Sequence, residues 1–373
     1  MRLAIIRQRY TPFGGAERFI ENALAALRQT ADIDVTVITR EWNAQQQTVH
    51  RIVTCNPFHI GRVWRLWAFA RAACKAVAEG GYDLVQSHER LCCCDIFRAG
   101  DGVHREWLRQ RDRILPAWRR ILMRLSPFHQ LGLWQERRMF FSPRLKVVIA
   151  NSKGVKADIL RHYPNTKARI EVIYNGVDPA RFHPGLRGED RQNLREKMGI
   201  PQNAPVLLFV GSGFERKGLA TAIRALVRQP VGTHLVVVGK DRQQRRYQAL
   251  AESLGLLHYV HFAGPQPDVR PYYGMADLFV FPSLYDPFPN AVLEAMACGL
   301  PAIVSNTCGS ADFMPEAALD ALDVEGWSQA ITAALAPDQR AKMAGESRRF
   351  AEGLSLDQMA ARMAALYVSV GEG

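Results

Sequence analysis

The length and composition of this chain predict a globular protein with two domains. It has 373 residues, more than one hydrophobic core usually supports, of which 48% are hydrophobic and 23% are charged. The formal charge is +12 and the pI is about 9.6, so an acidic partner is expected: nucleic acid, anionic lipid or a phosphorylated substrate. No apolar run approaches a membrane span, and residues 1–9 carry charge too early for a signal peptide, so we expect a cytoplasmic protein.

The seven cysteines do not indicate a metal site. Three are adjacent, Cys92 to Cys94, and consecutive residues are poorly placed to ligate one ion. The other four are scattered, without the spacing of zinc ligands. We therefore expect reduced thiols, with the adjacent three serving as small packing residues.

The first half of the chain alternates strands and helices, as a doubly wound parallel sheet requires. Helices are predicted from apolar spacing at 16–27 and 63–78, and a third, capped by Asn151 or Ser152, runs to His162. Apolar runs predict strands at 3–6, 34–39, 51–54, 83–87, 95–100, 146–150 and 170–174.

Four residues of this half are candidates for ligand contacts. Gly14 and Gly15 lie between a strand and a helix, where glycine lets the backbone approach a phosphate or sugar; a tight turn would use the same pair. His88 and Asp101 follow strands, at the sheet edge where such folds bind ligands. Asp101 is a candidate sugar contact. His88 is a candidate base or acceptor contact, although a surface histidine is the simpler interpretation.

The region 103–141 is rich in arginine and tryptophan. A basic amphipathic helix with tryptophans suits an anionic membrane, where each basic residue near the leaflet contributes about 1 kcal/mol. Ordinary helices docked on the sheet are the alternative; we favour the membrane because the arginines exceed what solubility needs. No nucleic-acid-binding module is recognisable. Along 117–125 the apolar face comprises Trp118, Ile121, Leu122 and Leu125, and the basic residues are Arg119, Arg120 and Arg124.

The second half repeats the pattern of strand, glycine loop and helix after a linker at 181–205. Arg216 and Lys217 lie among the glycines of the loop 211–218. Cations at a helix start oppose the helix dipole, whereas both could neutralise a diphosphate, Arg as a planar fork and Lys as a point charge. Predicted strands are 206–210, 234–239, 260–264, 278–281 and 302–304; predicted helices are 191–198, one from Leu219, 290–298, 326–336, 341–353 and 356–370.

The segment 282–301 reads as a loop and a helix between two buried strands. Prolines exclude helix from Asp286 to Pro289, and Asn290 is predicted as the N-cap of a helix ended by Gly299. The helix N-terminus favours an anion or a set of hydroxyls, with Asp286 and Glu294 both able to contact one polyhydroxy ligand. On spacing alone, an ordinary turn with one solvated acid and one acid at the helix end is the favoured interpretation.

These motifs together resemble the retaining GT-B glycosyltransferases of family 4. An acid (Asp286), seven residues, Glu294 and then Ala-x-Ala-x-Gly-x-Pro is similar to their donor-binding signature, and the Gly-Ser-x-Phe-x-Arg-Lys-Gly loop and Asn175-Gly-Val-Asp carry the same resemblance. It covers nearly the whole chain and is strongest for the enzymes that add the first glucose to the heptose of the lipopolysaccharide inner core.

The resemblance implies two Rossmann-like α/β domains facing across a cleft. The N-terminal domain, 1–180, would bind the acceptor, and the C-terminal domain, 206–355, would bind the donor nucleotide. The last helix, within 356–373, would pack back toward the first domain.

The resemblance also implies roles for individual residues. Asp101, Asp286, Arg216 and Lys217 would be catalytic, and His88 and Asp101 would contact the acceptor. The donor-binding residues would be Gly14, Gly15, Arg216, Lys217, Asp286, Phe288, Pro289, Asn290 and Glu294.

The implied reaction moves a hexose, with glucose from UDP-glucose as the first choice, to a lipopolysaccharide core acceptor with retention of configuration. We expect no cofactor and no metal, because cations and helix amides can stabilise the departing diphosphate. The enzyme would be peripheral on the inner face of the cytoplasmic membrane, with 103–141 on the anionic surface. Alternatives are a non-catalytic nucleotide-sugar-binding protein that docks on membranes, or a transferase that uses GDP-mannose or UDP-N-acetylglucosamine.

Overall fold

The structure is a computed structural model and describes residues 1–10, 33–42, 51–189, 191–314 and 318–371. Gly14, Gly15 and the predicted helix 16–27 lie outside the described residues.

The chain divides into two compact units. The first comprises Met1–Asn175 together with Leu356–Gly373, and the second comprises Gly176–Ser355. The segment 181–205, predicted as a linker, therefore lies within the second unit.

The first unit contains a seven-stranded sheet in which all neighbouring strands are parallel. The strand order is β5-β3-β1-β6-β7-β8-β9, so the sheet grows from β1 in one direction and from β6 in the other. Such a switch point is where doubly wound sheets bind ligands, beyond the carboxyl ends of the strands. The strands are β1 (Arg2–Ile6), β3 (Asp34–Thr39), β5 (Arg51–Thr54), β6 (Leu84–Ser87), β7 (Ile96–Arg98), β8 (Val147–Ala150) and β9 (Arg169–Val172). Strands β2 (Arg9–Tyr10) and β4 (Glu41–Trp42) form a separate parallel pair.

Helices cover both faces of this sheet. Successive residues of β1 alternate between two cores, because strand side chains point to opposite faces. Ala4 and Ile6 contribute to one core, whereas Leu3 and Ile5 contribute to the other with Tyr367 of the C-terminal helix. The helices are α1 (Gly61–Gly80), α2 (His104–Asp112), α3 (Ala117–Leu125), α4 (Pro127–Phe140), α5 (Lys153–His162) and the C-terminal helix Leu356–Gly371.

The expectation that all cysteines are reduced is wrong for two of them. Cys74, on α1, and Cys93, in the loop after β6, form a disulfide. Their Cα atoms are 5.7 Å apart, within the range of native disulfides. Cys92 is exposed, so it is not the buried packing residue that was predicted, whereas Cys94 is buried. The pairing depends on how α1 packs against the loop, which the spacing of cysteines in the sequence does not encode.

The second unit contains a six-stranded parallel sheet of the same kind. Its strand order is β12-β11-β10-β13-β14-β15, so the switch point lies between β10 and β13. The strands are β10 (Val206–Val210), β11 (His234–Val238), β12 (Val260–Gly264), β13 (Leu278–Phe281), β14 (Ala302–Ser305) and β15 (Ala318–Leu319).

In the second unit, two helices precede β10, and the others lie between consecutive strands or follow the last strand. Among the described residues, no helix is both long enough and apolar enough to cross a membrane. The helices are α6 (Leu186–Glu189), α7 (Arg191–Lys197), α8 (Phe214–Lys217), α9 (Leu219–Leu226), α10 (Gln244–Ser253), α11 (Arg270–Met275), α12 (Asn290–Ala297), α13 (Val324–Leu335) and α14 (Pro337–Glu352), with a 3₁₀ turn at Gly309–Phe313.

A buried ion pair attaches the predicted linker to the second sheet. Arg195 on α7 is fully buried, and its Nη2 lies 2.8 Å from Oδ2 of Asp277. The same guanidinium donates to the backbone carbonyls of Met275 and Ala204. Asp277 Oδ2 also accepts from the backbone N–H of Val206, at the start of β10. These contacts satisfy the charge and explain why the segment is part of the unit.

Candidate active site

The two loops at the switch point of the second sheet are fixed against each other. Gly218, which follows α8, has φ 75°, and a Cβ there would overlap the carbonyl oxygen of Pro282. Only glycine permits this approach. The carbonyl of Arg216 accepts hydrogen bonds from Leu284 N, at 2.9 Å, and from Ser283 Oγ, at 3.0 Å. The loop after β10 is therefore held on the loop after β13.

Backbone hydrogen bonds to the loop after β14 fix Asp286. Its N–H donates to the carbonyl of Thr307 at 3.2 Å, and its carbonyl accepts from Gly309 N at 2.8 Å. Asp286 and Cys308 form an isolated parallel β-bridge between the two loops. The Asp286 side chain thus has a defined place at the carboxyl edge of the sheet.

Arg216, Lys217 and Asp286 form one charge cluster, as the sequence predicted. Lys217 Nζ makes an ion pair with Asp286 Oδ2, and Arg216 Nη2 lies 3.8 Å from the same oxygen. The Lys217 side chain is 12% exposed and that of Asp286 is 7% exposed. Lys217 Nζ also lies 4.8 Å from the ring centroid of Phe281, a cation–π contact that sequence reasoning did not identify.

The environment of Lys217 perturbs its protonation. Burial lowers the pKa of the Lys217 ammonium, Asp286 raises it, and Arg216 lowers it. Two cations share one carboxylate, so the cluster has an excess positive charge. Because the lysine is shielded from water, an anion that reaches it interacts more strongly than with a solvated surface lysine.

The prediction that Asn290 is an N-cap is wrong by one residue. Helix α12 begins at Asn290, and Pro289 is the N-cap, with extended backbone and no side-chain hydrogen bond. Proline tolerates this position because it has no N–H to satisfy. The helix ends before Gly299, whose φ is 65°, as predicted. Phe288 is buried, with its ring 6.2 Å from that of Phe313.

Glu294 lies one turn into α12, and its partner was not predicted. Tyr273 Oη donates a hydrogen bond of 2.9 Å to Glu294 Oε2. Tyr273 belongs to α11, which is 21 residues earlier in the chain, so the pair arises only from tertiary packing. The hydroxyl orients the carboxylate.

In the first unit, His88 is buried, which contradicts the surface position that was favoured. Its Nε2 lies 3.0 Å from Gln86 Nε2, while Tyr367 Oη donates to Gln86 Oε1. The amide nitrogen of Gln86 is a donor, so His88 Nε2 accepts. Burial lowers the pKa of His88 well below its ordinary value, and Arg98 and Arg7 lower it further, so the imidazole is neutral at neutral pH.

Asp101 lies at the same edge of the first sheet but is solvent-accessible. Its side chain is 66% exposed, and its Oδ2 lies 3.7 Å from Arg7 Nη1. Arg98 is buried, donates to Asn175 Oδ1 at 2.7 Å, and has its pKa lowered by burial to about 9. Sequence reasoning missed both arginines. Arg7 directly follows β1, a position that could have identified it.

The basic region forms helices α2, α3 and α4, and α3 exposes its apolar face. Trp118, Ile121, Leu122 and Leu125 are each between 57% and 70% exposed. Arg119 stacks over the ring of Trp118, and Arg124 makes an ion pair with Asp112.

A second exposed apolar group continues this surface. Arg62, near the start of α1, lies 4.4 Å from the ring centroid of Phe128, in the first turn of α4. The exposed residues at this end of α1 therefore lie beside the segment that follows α3. Sequence reasoning did not identify them, because their spacing is that of any docked helix. They are Phe58, Ile60, Trp64 and Trp67.

Comparisons with known proteins cover nearly the whole chain. The family model for Glycosyltransferase Family 4 matches residues 13–181, and the model for Glycosyl transferases group 1 matches residues 190–349. The two matches divide the chain much as the two units do.

Individual proteins give the same picture. The chain is 28% identical over 337 residues to the lipopolysaccharide glucosyltransferase WaaG of Escherichia coli K12, covering 88% of this chain and 87% of that protein. The crystal structure of a WaaG matches with a TM-score of 0.83 at 24% identity, over 98% and 99% of the two chains. A structure of Anabaena HepE in complex with UDP-glucose matches with a TM-score of 0.75 at 19% identity, over 99% and 100%. The predicted fold class, GT-B, is confirmed.

Proposed function

Because the chain belongs to the glycosyltransferases that combine a family 4 domain with a group 1 domain, we propose that it transfers glucose from UDP-glucose to a lipopolysaccharide core acceptor. The name of the E. coli relative supports lipopolysaccharide as the acceptor class and glucose as the sugar. The bound ligand of the Anabaena structure supports UDP-glucose as the donor.

The observation that carries the proposal is the cluster of Arg216, Lys217 and Asp286. A nucleotide sugar releases a diphosphate, and negative charge develops on the leaving oxygen as the bond breaks. Lys217 is shielded and held by Asp286, while Arg216 is more exposed and offers a planar fork. These two cations bind the diphosphate, and their positions are set before the ligand arrives.

Residues around the start of α12 bind the rest of the donor. Asp286 accepts hydrogen bonds from sugar hydroxyls in addition to holding Lys217. Glu294, oriented by Tyr273, accepts hydrogen bonds from the ribose. Phe288, Pro289 and the adjoining amide of Asn290 line the approach to the sugar. Gly14 and Gly15 remain donor-binding predictions from the sequence.

On the acceptor side, Asp101 and His88 position the reacting hydroxyl group. Asp101 is exposed and so is accessible to an acceptor. His88 is buried and neutral, and its hydrogen bond with Gln86 holds it at the carboxyl edge of the first sheet. In the transfer, the bond between the anomeric carbon and the phosphate oxygen breaks. The acceptor oxygen bonds to that carbon from the same face, and its proton passes to the departing phosphate. The anomeric configuration is retained.

We also propose that helix α3 and the start of α1 bind an anionic membrane. Exposed indole and aliphatic side chains insert at the interface, and the arginines of α3 meet lipid phosphates. A lipid-linked acceptor is presented at such a surface, so docking places the enzyme at its substrate. The location that we propose is therefore the inner face of the cytoplasmic membrane.

A transfer assay tests the reaction. Labelled UDP-glucose is incubated with a core glycolipid that ends in heptose, alongside GDP-mannose and UDP-N-acetylglucosamine. We expect glucose transfer, with the α configuration of the donor retained in the product. Product from either other donor alone would overturn the choice of UDP-glucose, and no product from any donor would favour a non-catalytic binding protein.

Cosedimentation with vesicles tests the docking surface. We expect binding to anionic vesicles that falls with salt, and a loss of at least about tenfold in affinity for Trp118→Ser combined with Leu122→Ser. Val231→Ser, which changes an exposed apolar residue of the second unit, is the control. Equal binding by both variants would contradict the docking proposal.

A further inference from the structure

A second charge cluster, centred on Asp277, lies at the amino ends of the strands of the second sheet. Asp277 directly precedes β13, and its Oδ2 accepts from Val206 N at the start of β10. Both positions are amino ends of parallel strands. Lys217 and Asp286 follow the carboxyl ends of the same strands, so the two clusters lie at opposite edges of one sheet.

Four arginines surround this one carboxylate. Arg195 and Arg191 lie 2.8 and 3.0 Å from its oxygens, and Arg340 and Arg187 lie 3.6 and 4.0 Å away. Arg195 is fully buried and pairs with Oδ2, so it already balances the single negative charge. The other three come from α6, α7 and α14 and all face Oδ1.

Within the part of the chain that the structure describes, Asp277 is the acid that pairs with all three remaining cations, so it compensates their charge incompletely. Burial lowers the pKa of Arg187, Asp277 raises it, and Arg191 and Arg340 lower it. The Nη1 atom of Arg187 is buried and has no hydrogen-bond partner among the described residues. An unsatisfied buried donor destabilises a fold, so its retention calls for an explanation.

We propose that Arg187, Arg191 and Arg340 bind a small multivalent oxyanion of the phosphate or pyrophosphate class. All three side chains are partly exposed and can be reached from solvent, unlike Arg195. Guanidinium forks match the paired oxygens of a phosphoryl group. A divalent or trivalent anion would balance the excess charge and provide an acceptor for Arg187 Nη1. The site is separate from the proposed donor site and does not depend on it.

Calorimetric titration with inorganic pyrophosphate tests the site. The donor cluster would also bind pyrophosphate, so the titration uses Arg216→Gln combined with Lys217→Gln. We expect one remaining site, and at least about tenfold weaker binding when Arg187→Gln or Arg340→Gln is added, since each removes a charge-assisted hydrogen bond. Arg349→Gln, an exposed cation on the same helix as Arg340, is the control and leaves the affinity unchanged.

Two outcomes would overturn the proposal: no binding beyond the donor cluster, or equal weakening by the Arg349 control. If the double variant does not fold, wild-type protein saturated with UDP serves instead. In the protein saturated with UDP, we again expect pyrophosphate binding to be at least about tenfold weaker for Arg340→Gln.

A vesicle-binding experiment tests whether the ligand of this site is a free anion or the phosphate headgroup of a lipid. Vesicles of phosphatidic acid should bind wild-type protein and Arg340→Gln equally, because the site takes a free oxyanion. Loss of vesicle binding in Arg340→Gln, with pyrophosphate affinity intact, would overturn the assignment. Because the pyrophosphate titration involves no sugar transfer, its failure is distinguishable from failure of the transferase assay.

Discussion

The switch points of the two sheets have the same topology but differ in how their charged side chains are buried and paired. In the second unit, Lys217 and Asp286 are nearly buried and paired, and the loops that carry them are hydrogen-bonded to each other. In the first unit, the carboxylate of Asp101 is 66% exposed, with Arg7 3.7 Å away. One topology therefore supports a fixed charge cluster in one unit and an accessible acid in the other.

The difference matches what each proposed substrate would require. A diphosphate carries a fixed pattern of charge that is the same in every turnover, so preorganised cations stabilise it best. The proposed acceptor, a glycolipid, is large and would arrive from a membrane surface, so the group that contacts it must be accessible. Changes to the buried cluster should therefore affect catalysis strongly, and changes to the exposed acid should affect it less.

The largest expected effect comes from Lys217→Gln. Loss of a preorganised cation at the leaving group should lower kcat/KM by about 10²–10³-fold. Steady-state kinetics with UDP-glucose measures this, and Lys217→Arg should restore part of the rate because it keeps the charge. Lys342→Gln, an exposed lysine of the same unit, is the control. Equal activity of Lys217→Gln and the control would contradict the role of the cluster.

Asp286→Asn should have a smaller effect, with a signature in its pH dependence. Loss of its charge-assisted hydrogen bonds should reduce kcat/KM by about 10–100-fold at neutral pH. Asp286 raises the pKa of Lys217, so removing it lowers that pKa. Because the role that we propose for Lys217 requires its protonated form, the alkaline fall in rate should move to lower pH. An unchanged alkaline limb, measured from pH–rate profiles, would show that the two groups are not coupled.

The smallest effect is expected at the exposed acid of the first unit. Asp101→Asn should lower kcat/KM for the acceptor by about tenfold, with the KM for UDP-glucose and the melting temperature unchanged, since exposed groups contribute little to stability. Acceptor titrations at saturating donor measure this. Asp357→Asn, an exposed acid on the C-terminal helix, is the control. A fall in melting temperature, or a raised donor KM, would contradict an acceptor role.

The sequence predicted local features of the fold better than features that depend on long-range packing. Apolar runs are local signals, so strands such as Val206–Val210 were predicted with the observed bounds. Helices α10 and α11 and the short strand β15 were not predicted. The gathering of Arg216, Lys217 and Asp286 followed from the motif resemblance.

Features that depend on long-range packing were not predictable. Two of them are contacts between separate elements: the disulfide between Cys74 and Cys93, and the hydrogen bond from Tyr273 to Glu294. A third is the burial of His88, beside which Tyr367 of the C-terminal helix binds Gln86. Hydrophobic periodicity reports which face of an element is apolar, not which other element covers it. The exposed aromatic residues of α1 were missed for the same reason.

The most direct test of the central claim compares UDP with uridine by calorimetry. The claim is that Arg216 and Lys217, with Lys217 held by Asp286, bind the diphosphate of the donor. For Lys217→Gln, we predict that the dissociation constant of UDP rises by at least about tenfold while that of uridine, which lacks the diphosphate, stays the same. UDP affinity that is unchanged, or a loss that is equal for UDP and uridine, would contradict the account.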